Sequence, residues 1–194
     1  MSGHDGALPN PRGVKLTYDD FVLFPDDGLR HELIDGEHYV TPSPNERHQT
    51  ILANLFLLIG TWLRTNAIGK AWLAPFDVVL SPSDVVEPDL LYASNARRAQ
   101  IVTKANLQGS PELVVEIGSP STRRRDETLK RALYERAGVS EYWVVDPELD
   151  AVRVYRRIGD RFARPLELSL EGRDILTTSL LPGLALPLNE IFRI

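Results

Sequence analysis

The sequence predicts an α/β protein in which helices flank a mixed central β-sheet. Segments with apolar residues at helical spacing alternate along the chain with short β-branched runs that are typical of buried strands. The resulting order is helix, hairpin, helix, strands, helix, strand and hairpin, which favours one α/β domain. The 194 residues suffice for one sizeable core and are few for two. We therefore predict a single domain over residues 15–194, preceded by a disordered tail at 1–14.

Composition excludes several classes of protein. Hydrophobic residues make up 43% and charged residues 25% of the chain, as in ordinary globular domains. The absence of cysteine excludes disulfides, thiolate catalysis and cysteine-ligated zinc, and it suits the cytoplasm, where we expect the protein. No apolar run reaches about 18 residues and no signal-peptide pattern opens the chain, so no membrane association is expected. The net charge of -5 argues mildly against non-specific binding of nucleic acid.

Local signals in the first third of the chain predict two helices and a hairpin. Thr17 begins a pattern typical of a capped short helix that ends before Pro25. The pair Asp35-Gly36 favours a type I′ turn within a hairpin over 30–40. A long helix follows from Asn45 to about residue 66, because its apolar residues keep helical spacing.

The remaining two thirds of the chain predict strands interrupted by two helical segments. The apolar runs and the turn residues Gly138 and Gly159 set the boundaries. In order, we predict strands at 76–80 and 85–92, a segment with helical character at 95–107, a strand at 113–117, a helix beginning at Ser121 or Thr122 and ending at Gly138, a strand at 140–146, strands at 151–157 and 161–168, and a short helical turn near the C-terminus.

Two charged residues lie where an ordinary core would be apolar. Glu116 lies within the apolar strand 113–117, where an ionised carboxylate is costly unless it is paired or binds a cation. On the next helix, Leu129, Leu133 and Ala137 form one stripe at about 100° per residue. Lys130 falls roughly 40° from the middle of that stripe and so points towards the sheet. A carboxylate on a strand and an inward lysine on the next helix indicate a site.

Asp89, Glu116 and Lys130 form the main group of candidate functional residues. Two carboxylates from neighbouring strands can hold a hard cation such as Mg²⁺, and the ion can activate a water molecule beside a phosphate. A nearby lysine can then stabilise negative charge. The alternative is structural: Asp89 marks the end of a strand, and Glu116 forms a buried ion pair with Lys130.

These residues belong to a longer ordered set that resembles the PD-(D/E)xK nuclease superfamily, which has the restriction-endonuclease-like fold. The set is closest to the Uma-two family of restriction endonucleases and spans almost the whole chain. The matching pieces are Glu32-Leu-Ile-Asp-Gly36-Glu37, His48, Pro88-Asp89, Val115-Glu116-Ile-Gly-Ser-Pro-Ser-Thr122, Asp126 with Lys130 and Tyr134 at four-residue steps, and Gly138-Val-Ser-Glu-Tyr-Trp-Val-Val-Asp-Pro147.

The resemblance implies a restriction-endonuclease-like core and specific roles for the candidate residues. Asp89 and Glu116 would bind Mg²⁺ or Mn²⁺, with the backbone carbonyl of Ile117 as a third ligand. Gly118 occupies the position that carries lysine in the superfamily's short motif. The role of that lysine would pass to Lys130 on the helix. Tyr134, one turn further on, would help to position a phosphate, or else it is an aromatic residue at the edge of the core.

Three further features allow two interpretations each. Glu32 could complete the acidic cluster or could be a solvated carboxylate of the hairpin. His48 could act as a base near neutral pH, although a single histidine on a helix is more often structural. The run 123–125 consists of three arginines and could bind phosphate at the start of the helix or could be a solvated charge run.

The resemblance thus implies a magnesium-dependent endonuclease that hydrolyses phosphodiester bonds in DNA and acts as a homodimer. In this mechanism a water molecule bound to the ion attacks the phosphorus atom while Lys130 stabilises the developing charge. The alternative is a catalytically inactive member of the fold that binds nucleic acid or a protein partner. The glycine at position 118 and the acidic net charge favour that alternative.

Overall fold

The computed structural model describes residues 13–119 and 125–194. Its helices are α1 (Tyr18–Phe21), α2 (Glu46–Thr65), α3 (Asn95–Ile101), α4 (Arg131–Ala137), which continues a π-helical turn over Asp126–Lys130, and α5 (Leu188–Ile191). Its strands are β1 (Arg30–Ile34), β2 (Glu37–Thr41), β3 (Gly69–Leu73), β4 (Val78–Ser81), β5 (Asp84–Val86), β6 (Leu90–Ser94), β7 (Leu107–Gln108), β8 (Leu113–Ile117), β9 (Glu141–Asp146), β10 (Ala151–Ile158), β11 (Arg161–Phe162), β12 (Leu166–Ser169), β13 (Ile175–Thr177) and β14 (Ala185–Pro187).

The strands form a mixed central sheet, a second sheet and a small two-stranded sheet. The central sheet runs β11-β10-β9-β8-β6-β3, with β12 also paired to β10. Only β8 and β9 in it are parallel, as expected for strands joined by a crossover helix. The second sheet runs β2-β1-β5-β4-β7, and β13 pairs with β14. This confirms the predicted α/β class with a mixed sheet.

Alternation along β8 decides which side of the central sheet each residue faces. Val115 and its neighbours at alternate positions pack with Leu55 of α2 in one hydrophobic cluster. Val114 packs with Tyr134 of α4 in the other cluster. Glu116 has the parity of Val114, so its carboxylate faces the side of the sheet that carries α4.

Several local predictions are confirmed. Thr17 and Asp20 form a capping box at α1. Asp35 and Gly36 both have positive φ, 54° and 75°, as a type I′ turn requires. The side chain of Asn45 caps α2 by accepting a hydrogen bond from a backbone N–H in its first turn.

Two predicted strands were wrong, and four strands, β3, β7, β13 and β14, were not predicted. The predicted strand 85–92 is two strands, β5 and β6, which belong to different sheets. Pro88 lies between them and lacks the N–H that a continuous central strand needs. The predicted strand 161–168 likewise divides into β11 and β12, with Pro165 in the gap. Strand β3 was missed: it begins at Gly69, where a Cβ would lie 2.5 Å from the Ala93 carbonyl oxygen, so close packing explains the glycine.

The ends of two other predictions lie outside the described residues. These are most of the tail at 1–14 and the helix start at Ser121 or Thr122. The helix itself ends at Gly138 as predicted, with a left-handed φ of 90°. No helix within residues 13–119 and 125–194 is long and apolar enough to cross a membrane.

Candidate active site

The pairing of β6 with β8 brings the two predicted carboxylates together. Leu90 pairs with Val115 in antiparallel register, and continuing that register places Asp89 opposite Glu116. The backbone N–H of Ile117 donates a hydrogen bond of 2.8 Å to Asp89 Oδ2. Both carboxylates are 3% exposed. The two residues lie 27 positions apart in sequence, and the sheet makes them neighbours.

The π-helical turn before α4 carries Lys130 into the same region. Lys130 Nζ lies 2.9 Å from Glu116 Oε1 and 2.8 Å from Glu32 Oε1, and the side chain is buried. The apolar stripe predicted for this helix was partly wrong, because Leu129 is 43% exposed. A π-helical turn has wider spacing than an α-helix, so the angles of a regular helix do not apply here. In this turn Lys130 faces inward, as predicted, and Leu129 faces outward.

Tyr134 holds the same oxygen of Glu116 from the next turn of the helix. Its hydroxyl donates a hydrogen bond of 2.6 Å to Glu116 Oε1, and the residue is fully buried. The second oxygen, Glu116 Oε2, accepts no hydrogen bond from the described part of the chain. Tyr134 therefore orients the carboxylate through Oε1 and leaves Oε2 available for a ligand.

Asp89 is held by two side chains in addition to the Ile117 N–H. Arg30 donates from its guanidinium to Asp89 Oδ1 at 2.9 Å. Nε2 of His48, in the first turn of α2, lies 3.1 Å from Asp89 Oδ2. The other ring nitrogen, His48 Nδ1, is buried without a hydrogen-bond partner among the described residues. The histidine thus orients Asp89 through one ring nitrogen, and the other is free of protein partners among those residues.

Glu32 lies behind Lys130 and is fully buried, so it is not the solvated carboxylate of one interpretation. Besides Lys130, it accepts a hydrogen bond of 3.1 Å from the Glu87 backbone N–H. The guanidinium of Arg125 lies 3.7 Å from its Oε2 and donates to the Thr41 hydroxyl at 2.9 Å. In this arrangement Glu32 fixes the ammonium group of Lys130.

These groups surround a cleft of about 260 Å³. Asp89, Glu116 and Lys130 all line it, together with Ile117 and His48. The walls also include Arg30, Arg125 and the loops 42–45 and 147–148. Sequence reasoning missed Arg30, although its position two residues before Glu32 in one strand places both on the same face of the hairpin. Residues 123 and 124 of the arginine run lie outside the described residues.

The electrostatic environments of Asp89 and Glu32 favour ionised carboxylates. Burial opposes ionisation of Asp89, but the hydrogen bond from His48 and the charge of Arg30 outweigh it and lower its pKa to about 2. Burial likewise opposes ionisation of Glu32, and the charges of Lys130, Arg125 and Arg30 lower its pKa. Both residues are therefore anionic at neutral pH.

The environment of Glu116 favours the protonated carboxyl group. Burial raises its pKa to about 8, and the neighbouring carboxylates Asp89 and Glu32 add to that rise while Lys130 opposes it. Burial also opposes the charge of Lys130, but the two glutamates outweigh it and raise the pKa of the lysine. Burial and Glu116 raise the pKa of Tyr134, which stays a hydrogen-bond donor. Glu116 is thus a group whose protons a cation could displace near physiological pH.

The pair Asp89 and Glu116 fits a hard divalent cation. Their oxygens are the ligand type that Mg²⁺ prefers, and Glu116 Oε2 is available for coordination. No cluster of three or more acidic, histidine or cysteine side chains forms a ready cage within the described residues. Two carboxylates suffice for Mg²⁺, which keeps several water ligands. Ile117 lines the cleft, and its carbonyl as a third ligand stays a prediction.

The mixed sheet, the two carboxylates where β6 and β8 pair and the inward lysine in the turn before α4 are the features of a restriction-endonuclease-like nuclease fold. The chain belongs to the Uma2 family, whose family profile carries the description "Putative restriction endonuclease" and matches residues 18–189. This confirms the family resemblance that the sequence motifs indicate.

A solved structure supports the same fold. The chain is similar to a protein from Anabaena variabilis described as a "putative nuclease belonging to DUF820", with 20% sequence identity and a TM-score of 0.77. The similarity covers 91% of this chain and 97% of that one. A search of curated proteins found no match.

Proposed function

We propose that the protein is a magnesium-dependent phosphodiesterase that acts as a DNA endonuclease. The observation that carries this proposal is the convergence of Asp89, Glu116 and Lys130 on one cleft. Asp89 directly precedes β6 and Glu116 lies on the adjacent strand β8, and the ammonium group contacts Glu116 at 2.9 Å. The family and its fold support a nuclease.

Each residue then has a defined task. Asp89 and Glu116 would hold Mg²⁺, or Mn²⁺, which accepts the same oxygen ligands. The ion would supply charge neutralisation at a phosphoryl oxygen and an acidified water molecule. Lys130 stabilises negative charge that develops on the phosphate, since its ammonium group is fixed in advance by Glu32 and Glu116. Tyr134 keeps Glu116 in one orientation.

The proposal extends to assembly and location. Cleavage of both strands of a duplex suits two active sites related by a twofold axis, so we propose a homodimer. A chain without cysteine suits the cytoplasm, where we propose that the protein acts.

A catalytically inactive module that binds nucleic acid or a protein partner is the second candidate. Gly118 in the motif position of the usual lysine and the net charge of -5 favour it. The position of Lys130 favours the enzyme, because its ammonium group lies beside Glu116 and lines the same cleft as Asp89.

A cleavage assay decides between the two candidates. Supercoiled plasmid, single-stranded DNA and RNA oligonucleotides are incubated with Mg²⁺, Mn²⁺ or EDTA. We expect metal-dependent cleavage of DNA by the wild type, loss of at least about 100-fold in Glu116→Gln, and no loss in the control Glu167→Gln, whose side chain is 74% exposed. Cleavage that persists in EDTA, or equal activity in Glu116→Gln, would refute the proposed metal-dependent mechanism. Binding of DNA without cleavage by any form would support the inactive module.

A further inference from the structure

Arg30 occupies the place beside Asp89 where a cation would have to bind. Its guanidinium donates to Asp89 Oδ1 at 2.9 Å, and both groups line the cleft. The other oxygen of Asp89 already accepts hydrogen bonds from the Ile117 N–H and His48. A divalent ion that binds Asp89 must therefore share Oδ1 with Arg30 or displace it.

Acidic and basic side chains pair with one another around the cleft. Arg30, Arg125 and Lys130 contact Asp89, Glu32 and Glu116, and the buried Asp126 lines the same cleft. A divalent cation that displaces Arg30 from Asp89 leaves the charge of that guanidinium without its partner carboxylate, which is costly in a buried site. A phosphate that enters with the ion supplies the missing negative charge. The cation and the phosphate should therefore bind more tightly together than apart.

The guanidinium of Arg30 also contacts Glu87. Its second terminal nitrogen donates to the Glu87 backbone carbonyl, and its Nε lies 3.4 Å from Glu87 Oε2. Because a guanidinium is a rigid plane, the whole group must turn when it leaves Asp89, and its Nε has no hydrogen bond to lose within the described residues. The side chain is 19% exposed, so it reaches the open side of the cleft, where a phosphate would arrive. Guanidinium groups bind phosphate oxygens through paired hydrogen bonds.

We infer that Arg30 couples the two ligands of the cleft. It neutralises Asp89 in the free protein and turns to a phosphate of the nucleic-acid substrate when a divalent cation takes its place. This inference rests on the proposed function, because it requires a cation at Asp89. It makes Arg30 a substrate-binding residue and makes the affinity of the protein for Mn²⁺ depend on phosphate. Coupling of this kind is reciprocal, so the ion must tighten phosphate binding by the same factor.

Calorimetry tests the coupling without any turnover. Mn²⁺ is titrated into the full chain at pH 8, with and without saturating thymidine 5′-monophosphate, a phosphate monoester that a phosphodiesterase does not cleave. In the wild type the nucleotide should raise the affinity for Mn²⁺ at least about fivefold. In Arg30→Met, Mn²⁺ alone should bind at least as tightly as in the wild type, and the nucleotide should no longer raise its affinity. The control Arg136→Met, whose guanidinium pairs with Asp84 at 2.6 Å, should keep full coupling.

Two results would overturn the inference and leave the proposed nuclease intact, provided that the proteins still cleave DNA. The first is a wild-type affinity for Mn²⁺ that does not change when the nucleotide is added. The second is full coupling in Arg30→Met. Absence of Mn²⁺ binding under every condition would instead overturn the proposed function and this inference with it. If Arg30→Met does not fold, as judged by circular dichroism, Arg30→Lys replaces it. That variant keeps the charge and loses the paired donors, so the coupling should fall below the wild-type value, and unchanged coupling would overturn the inference.

Discussion

Lys130 Nζ lies 2.9 Å from Glu116 Oε1, although the two residues are separated by 14 positions and lie on different elements. In the short motif of the superfamily a lysine two residues after the glutamate extends from the same strand, and here that position is Gly118. The helix after β8 thus supplies the positive charge that the strand lacks. The contact explains why a chain without the usual motif can still present two carboxylates and an ammonium group to one cleft.

Replacing Lys130 by methionine should reduce both cleavage and stability. The variant leaves two buried carboxylates without their shared cation, which should cost about 3 kcal/mol in the free energy of unfolding. Cleavage of plasmid should fall at least about 100-fold, because the fixed charge beside the phosphate is lost. Urea denaturation and the cleavage assay measure the two effects. Lys104→Met, at an exposed position, is the control and should change stability by less than about 0.5 kcal/mol.

Tyr134→Phe isolates the hydrogen bond that orients Glu116. The change removes only the hydroxyl that donates to Glu116 Oε1 at 2.6 Å, so we expect a loss of about 1.5 kcal/mol in unfolding free energy. Tyr155→Phe is the control, because this residue is only 8% exposed and its hydroxyl makes no hydrogen bond within the described residues. Equal destabilisation of the two variants in urea would show that the contact with Glu116 contributes nothing specific.

The raised pKa of Glu116 predicts a particular pH dependence. The folded protein holds this proton up to about pH 8, whereas the unfolded chain releases it near the model-compound value. The contribution of Glu116 to stability therefore falls as pH rises from about 4.5 towards 8 and is constant above that. Because a cation competes with the proton, the affinity for Mn²⁺ should rise over pH 6 to 8 and then level off.

Calorimetry in buffers of different ionisation enthalpy measures this proton exchange. At pH 7 the binding of Mn²⁺ should release close to one proton in the wild type. Glu116→Gln should release none and should show a shallower fall of stability between pH 5 and 8. Affinity that is independent of pH in the wild type would contradict the assignment of Glu116 as a ligand.

The sequence predicts those parts of the site that depend on local patterns and on the order of the motifs along the chain. The hairpin, α2, β8 and β9 follow from local patterns, which place Glu116 within a buried strand, as the structure shows. The inward position of Lys130 was also predicted correctly. The assumption of a regular helix wrongly placed Leu129 in the core, because the segment is a π-helical turn in which Leu129 is exposed. Such a turn depends on packing between elements and has no signal in residue spacing.

The cations around the carboxylates were the part that spacing could not predict. Arg30 and Glu32 share one face of β1, but only the pairing of β1 with β5 places that face over Asp89. His48 was recognised as a candidate, and its contact with Asp89 depends on how α2 lies across the sheet. Contacts between residues distant in sequence are set by tertiary packing, so one sequence does not determine them locally.

The position of a bound ion tests the central claim most directly. Crystals grown with Mn²⁺ and thymidine 5′-monophosphate should give an anomalous scattering peak in the cleft, about 2.1 Å from one carboxylate oxygen of Asp89 and one of Glu116. The same crystals should show the Arg30 guanidinium beside the phosphate. A cleft without an anomalous peak, or a Mn²⁺ ion bound by neither carboxylate, would contradict the account.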